Sequence, residues 1–318
     1  MSSSQPLVSI CIPTRNSARY IRETLDSLRV QTYPHCEIIV SDNASSDGTV
    51  ALLGEYAEAY GIRVLLNDTD AGAGENFNRL IASATGDYVA IYHADDLYDP
   101  DIVAESVAVL QKHRKVGLVG TLAEAVDAGG MRLFDYRLPE GCTPSSDGCF
   151  DFDAALSAVL RTRRQEIFFV TPSIMVRREV YRAVGLFDQR SWRSSVDYEM
   201  WLRIACRYPV AVINRPLMHY RIHAAQGSEL EVRKNSELPD ILAVIAAYQR
   251  HLHTASVDRQ CTATMDRIRV KTALKQNAVG QFAKSAATIK PLGTIRYRIC
   301  ACFIRCANAL RLNMHVWP

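Results

Sequence analysis

A chain of 318 residues, 48% hydrophobic and 22% charged, has room for one large α/β domain with an appendage or for two ordinary domains, and its composition excludes a disordered or fibrous protein. The net charge of +3 is small but unevenly spread. No acidic residue follows Asp266, whereas Arg267, Arg269, Lys271, Lys275, Lys284, Lys290, Arg296, Arg298, Arg305 and Arg311 do, which suits a tail that meets an anionic surface.

In chain order, "LVSICIP" (7–13) reads as a first strand, and Ile21, Leu25 and Leu28 recur at helical spacing behind a cap at Asn16 or Ser17. "CEIIVSD" (36–42) is a second strand that runs into the turn formers "NASSDGT", with a helix from Thr49 to Tyr60. "IRVLLN" (62–67) is a third strand, and a helix carrying Phe77, Leu80, Ile81 and Ala84 leads to a fourth, "DYVAIYH" (87–93). "DPDIVAESVAVLQKH" (99–113) restarts helix, with Asp99 as cap and Pro100 in its first position. Repeated βα units joined by short connections predict a mostly parallel sheet covered on both faces.

From Val116 the pattern loosens into strands over 116–126 and 131–137, a Gly/Pro/Ser loop at 138–148 and a helix over 152–163. A strand pair at 167–177, a helix at 197–208 and a strand at 210–214 follow, and the chain from Glu229 onward is expected to be helical. Nine cysteines without a CxxC pair or a metal-ligand spacing are expected to be reduced, buried thiols of a cytoplasmic protein. "MSSSQP" has neither a basic nor an apolar signal region, and no run of eighteen apolar residues suggests a membrane span.

The chemistry-bearing stretch is "IYHADDLYDP" (91–100), where Asp95 and Asp96 follow a buried strand. Two adjacent carboxylates repel unless a positive partner faces them, and the carboxyl end of a strand in an open α/β sheet is where ligands bind. They suit a hard cation such as Mg²⁺ or Mn²⁺, which takes carboxylate oxygen together with substrate phosphate. The competing reading, that they only turn the chain and cap the next helix, gives them a duty already assigned to Asp99.

Taken together and in order, "VSICIPTRN", "EIIVSDNASSDGT", "GDYVAIYHADDLYDP", "VRREVYRAVGLFD", "VDYEMWLRIA" and "YRIH" resemble the family 2 glycosyltransferases over roughly residues 5–228. That resemblance implies a GT-A fold: a Rossmann-like, mostly parallel central sheet flanked by helices. Nucleotide-sugar binding would fall in 5–115, the acceptor side in 116–228 and a helical basic extension in 229–318. It further implies sugar transfer with inversion from a nucleotide-diphospho-sugar to a glycan or polyprenyl-linked acceptor, as in surface polysaccharide assembly, with Mn²⁺ or Mg²⁺ as cofactor.

Carried over residue by residue, the resemblance assigns Pro13, Thr14, Arg15 and Asn16 to framing the nucleoside and Asp42 and Asn43 to contacting it. Asp95 matches the last acidic position of the family's DxD pattern, Asp96 stands beside it, and His93 occupies the place of the first Asp. His223 in "YRIH" joins Asp95 and Asp96 as a metal ligand, and Arg221 meets the donor phosphates. Asn78 is a donor contact, while Phe77 stands where relatives carry Arg. Asp197 matches the Asp of the Glu-Asp motif that supplies the general base, with Val196 in place of the Glu and Glu199 as the second choice.

His219, Arg221 and His223 alternate along one strand and are expected to share a side. The segment 294–312 interleaves four arginines with Ile295, Ile299, Phe303, Ile304 and Leu310, a basic amphipathic helix. It is expected either to lie on an anionic membrane at its cytoplasmic face or to pack on protein. Nucleic acid is not expected, since no reader motif or aromatic platform is present. The departures at His93 and Val196 keep a second function open, a non-catalytic nucleotide-sugar-binding or scaffold module.

Overall fold

Strand β1 (Val8–Thr14) lies between β2 (Cys36–Asn43) and β4 (Tyr88–Ile91) and is parallel to both. Val8, Ser9, Ile10, Cys11 and Ile12 are all fully buried, as a strand covered on both faces must be. The one hydroxyl in that run is satisfied: Ser9 Oγ donates to Glu37 Oε1 at 2.6 Å and accepts the Gly86 N–H at 2.9 Å. A Cβ at Gly86 would fall 2.6 Å from the Leu7 carbonyl oxygen, so only glycine allows this approach.

The computed structural model describes residues 5–144, 148–162, 165, 168–226 and 239–314. The chain separates into two compact units, Met1–His223 and Ala224–Pro318. The expected boundary at 228/229 lies outside the described residues.

In the first unit, helices α1 (Ile21–Arg29), α2 (Thr49–Tyr60), α3 (Ala73–Ser83) and α4 (Ile102–Lys112) alternate with β1, β2, β3 (Arg63–Asn67) and β4. The strands that follow are β5 (Leu97–Tyr98), β6 (Leu118–Val126), β7 (Arg132–Asp135), β8 (Cys149–Phe150), β9 (Ile174–Arg177) and β10 (Val210–Arg221). The sheet order is β3-β2-β1-β4-β9-β6-β10-β5, with β7 on β6 and β8 on β10. Strand β9 is antiparallel to both of its neighbours, β4 and β6, and so interrupts an otherwise parallel run. Helices α5 (Phe152–Arg161), α6 (Arg178–Val184), α7 (Gln189–Trp192) and α8 (Val196–Ala205) cover the later strands. One core joins Ile10, Ile12, Leu25, Val40 and Leu53 of the first βα units to Tyr92, Ile102, Val119, Met175 and Leu217.

Three local expectations are corrected. Helix α4 starts at Ile102 because Asp99 Oδ1 takes the Asp101 N–H at 2.9 Å, closing a turn ahead of the helix instead of capping it. The described part of 167–177 is a 3-10 turn (Thr171–Ser173) leading into β9, because Pro172 has no N–H to give to a ladder. Strand β10 runs to Arg221, well past Asn214, with register shifts at Pro216 that keep it paired to β6.

The second unit contains α9 (Ile241–Gln249), α10 (Ala255–Ala278), α11 (Phe282–Thr288) and α12 (Ile295–Ala309). Val270, Ala273, Ile289, Leu292, Ala301 and Ile304 form its core. Asp266, the last acidic residue of the chain, is 1% exposed and accepts the N–H groups of Gly293 (3.1 Å) and Thr294 (2.7 Å), which anchors the start of α12. No helix among the described residues is long and apolar enough to cross a membrane. The cysteines are all free, but the expectation of burial fails at Cys300, Cys302 and Cys306, which are exposed on α12.

Candidate active site

At the carboxyl ends of β1 and β2, Thr14 and Asp42 are register partners, and the chain then turns sharply at Asn16 (φ 49°) and Ala44 (φ 57°). Side chains hold both turns. Asp42 accepts from the Ser45 N–H (2.9 Å) and hydroxyl (2.5 Å), Ser45 Oγ accepts the Asn16 N–H (2.8 Å), and Asn16 Oδ1 accepts the Ser46 N–H (2.8 Å). Asn43 donates to Asp70 Oδ1 at 2.6 Å and accepts the Ala71 N–H at 3.0 Å, while Arg15 forms an ion pair with Asp70. Thr14 is buried, and its hydroxyl has no partner. Asn16 and Asp42 are thus tied together through Ser45, and Arg15 and Asn43 through Asp70, while Pro13 and Thr14 lead into these turns from the end of β1. Asp70 and Asn67, whose Nδ2 donates to Asn43 Oδ1 at 3.3 Å, are not among the residues that the sequence singles out, although the Asx-rich "NDTD" at the end of β3 is a signal for such a loop.

Asn78 lies elsewhere. Its Nδ2 donates to the Phe187 carbonyl at 2.9 Å and its Oδ1 accepts the Phe187 N–H at 2.8 Å, so both ends of the amide hold the segment before α7. Gln189 of α7 reaches the same helix and accepts the Gly74 N–H at 2.7 Å.

The acidic turn after β4 is held from three directions. Tyr98 stacks on the fully buried Tyr92 with centroids 4.3 Å apart, and its hydroxyl accepts the His93 N–H at 2.6 Å. The Thr24 hydroxyl of α1 lies 3.0 Å from the Ala94 carbonyl oxygen and 2.8 Å from that of Asp96. Arg221, 2% exposed at the end of β10, donates its backbone N–H to Asp96 Oδ1 and its Nε to the Asp95 carbonyl, both at 2.8 Å. Its Nη2 donates to Glu23 at 2.7 Å and its Nη1 to the Ala128 carbonyl at 3.4 Å, and the guanidinium lies over the Tyr20 ring. His223 Nε2 is 3.0 Å from Asp95 Oδ2.

The potential ligand atoms of His93, Asp95 and Asp96 lie within 4.8 Å of one another. Burial pushes the His93 imidazole below its ordinary value against the pull of Asp95 and Asp197. Burial and the neighbouring Asp95 push Asp96 well up. Burial would also raise Asp95, but the His223 hydrogen bond and the field of His93 hold it low. His93 Nε2 and Asp96 Oδ2 are buried atoms without a hydrogen-bond partner, and leaving such groups unpaired costs about 1–3 kcal/mol each. A divalent cation would satisfy both, so the donor set fits one. His223, expected as a direct ligand, contacts Asp95, and His93 takes its place among the grouped ligand atoms.

Asp197 sits in the first turn of α8, where the helix favours a carboxylate, and the residue before that helix is Ser195. Its Oδ2 accepts the Thr171 hydroxyl at 3.0 Å and its Oδ1 the Tyr198 N–H at 2.7 Å; burial nonetheless raises its pKa. Thr171 in turn accepts the Trp201 indole N–H at 3.4 Å. Glu199 is 3% exposed and is held by both arms of Arg203 at 3.0 and 2.5 Å, an ion pair that fastens α8 rather than a candidate base. His219 faces Glu124 at 3.0 Å on an exposed stretch of β10, so it does not join Arg221 and His223.

A mostly parallel central sheet flanked by helices, with an acidic turn at the carboxyl end of β4, has the GT-A architecture. The model of the family described as glycosyl transferase family 2 matches residues 9–185, and the chain belongs to that family. The Bacillus subtilis protein named "Putative glycosyltransferase EpsE" is 32% identical over 206 residues, 63% of this chain and 67% of its own length. Uncharacterized glycosyltransferase RP339 of Rickettsia prowazekii is 29% identical over 238 residues, covering 74% and 70%.

Among solved structures, residues 1–349 of S. aureus TarS superpose with a TM-score of 0.65 at 16% identity, over 96% of this chain and 89% of that one. Against the longer TarS chain the match spans 54% of its length, about half. Mannosyltransferase PcManGT of Pyrobaculum calidifontis, solved with GDP-Man and Mn²⁺, gives a TM-score of 0.60 at 18% identity over 97% and 85%. At these identities the likeness is one of fold.

Proposed function

We propose that this family 2 glycosyltransferase is inverting and metal-dependent, and moves a sugar from a nucleotide-diphospho-sugar to a hydroxyl of a glycan or lipid-linked acceptor in surface polysaccharide assembly. The observation that carries the reading is Asp197, a carboxylate of raised pKa held by two hydrogen bonds within the electrostatic reach of His93. TarS has been solved with UDP and with UDP-GlcNAc, and PcManGT with GDP-Man and Mn²⁺, which supports a nucleotide-sugar donor for this chain.

In this reading Asp197 takes the proton of the acceptor hydroxyl as its oxygen bonds to the anomeric carbon. The bond from that carbon to the donor phosphate breaks, and its electron pair leaves with the nucleoside diphosphate. Thr171 and the Tyr198 N–H orient the Asp197 carboxylate. Asp95, Asp96 and His93 would hold a divalent cation, with His223 bracing Asp95. When bound, that ion neutralises charge on the leaving diphosphate. The lattice of Arg15, Asn16, Asp42 and Asn43 receives the nucleoside. Contact with an anionic membrane at its cytoplasmic face belongs to the same reading, because it brings the enzyme to a lipid-linked acceptor.

A thermal-shift screen of UDP- and GDP-sugars with and without Mn²⁺ tests the donor and the ion together. Stabilisation by one nucleotide class, dependent on Mn²⁺ and lost in Asp95→Asn, is expected; stabilisation that is indifferent to both removes the metal assignment. Donor binding without hydrolysis, and without transfer to any acceptor pool, favours the non-catalytic module.

A further inference from the structure

Helix α12 divides its apolar residues between two faces. Ala301 and Ile304 are buried in the core of the second unit, and Asn308 is tied there by Asn277 at 2.8 Å and Ser285 at 3.0 Å. On the other side Ile295, Ile299, Phe303 and Leu310 are 74, 58, 69 and 69% exposed, and Cys302 and Cys306 are exposed with them. With about 3.6 residues per turn, those six positions fall within roughly 100° of one another and form one continuous stripe. Arg296 borders the stripe on one side, and Arg298 and Arg305 border it on the other. Scattered exposed apolar residues are ordinary, but a continuous stripe edged by cations is a surface waiting for a partner.

We infer that this face of α12 docks on the interface of an anionic lipid bilayer, with the stripe entering the acyl boundary and the flanking arginines meeting lipid phosphates. Charge selects this occupant. No acidic residue follows Asp266, and Asp266 is itself buried at the start of the helix, so nothing on α12 opposes an anionic surface. Pairing with a second copy through the stripe would bring arginine rows together with no carboxylate to meet them. A nucleic acid would take the arginines but leave Ile295, Ile299, Phe303 and Leu310 in water.

Co-sedimentation of the full chain with phosphatidylcholine vesicles, with and without phosphatidylglycerol, tests the inference. Binding is expected on the anionic vesicles, weakened by salt, and at least about ten-fold weaker in Ile299→Asp/Phe303→Asp. Both positions are exposed, so the variant should keep its circular dichroism and its nucleotide-dependent thermal shift. Arg296→Gln/Arg305→Gln is expected to weaken binding and flatten its salt dependence. Vesicles are expected to slow labelling of Cys302 and Cys306 by a water-soluble maleimide while Cys300, outside the stripe, stays reactive. A chain that remains in the supernatant with anionic vesicles overturns the inference. So does binding that survives Ile299→Asp/Phe303→Asp, or a dimer that dissociates in that variant.

Discussion

The backbone N–H of Arg221 is bonded to Asp96 Oδ1 at 2.8 Å, and the other carboxylate oxygen of Asp96 is buried without a partner. Strand β10 therefore fixes one lone pair of this acid and leaves the other for a ligand, while the Arg221 side chain fixes the carbonyl one residue earlier. Replacing Arg221 by Met should lower stability by about 2–4 kcal/mol, read from urea unfolding, because the Asp95 carbonyl and Glu23 lose their donor together. Arg221→Lys should recover only part of the loss, since an ammonium cannot span both acceptors.

Asp197→Asn should leave nucleotide binding intact and reduce transfer about 100- to 10,000-fold. Burial raises the Asp197 pKa, so the acidic limb of kcat/KM should lie above the ordinary aspartate range, with activity rising as pH climbs through it. Thr171→Val removes a donor to the ionised form and should push that limb higher still. A pH profile unchanged by Thr171→Val would count against Asp197 as the group that titrates.

Asn78→Ala should behave as a stability variant. The loss of two hydrogen bonds to the Phe187 backbone predicts about 1–3 kcal/mol in denaturant unfolding, with nucleotide affinity changed by no more than about two-fold at temperatures where the protein is folded. A large loss of affinity at unchanged stability would restore Asn78 as a donor contact.

Glu37 carries a pH prediction. Burial would raise its pKa, but hydrogen bonds from Ser9, Thr85 and Arg63 outweigh this and lower it to about 2. With the folded value below the unfolded one, its stabilising effect is complete above about pH 4.5 and fades as pH falls towards 2. Glu37→Gln should cost about 1–2 kcal/mol at neutral pH and flatten the acid side of the stability curve.

The first four βα units were legible because β1, β4 and the carboxyl half of β2 are buried and each helix buries one face, and periodicity reports burial directly. Asp42, Asp95, Asp96 and Asp197 were legible as positions at the ends of such elements. Their partners were not. That Asn78 bonds Phe187, that Arg221 reaches Asp96 and Glu23, and that His223 contacts Asp95 all depend on residues brought together from distant parts of the chain. Local pattern carries no signal for such meetings. The antiparallel β9 was hidden for the same reason, since three apolar residues and an arginine read alike in either direction.

That short strand also bears on synthesis. β4 meets its second neighbour only when Ile174–Arg177 has been made, so a nascent chain holding β1 to β4 carries a bare, fully apolar edge for more than eighty residues of elongation. The proposed donor half (5–115) and acceptor half (116–228) therefore do not divide the folding of this sheet. A gene fragment ending near residue 115 is expected to aggregate, and one extended through β10, which covers the far edge of β6 as β9 covers β4, to collect in the soluble fraction.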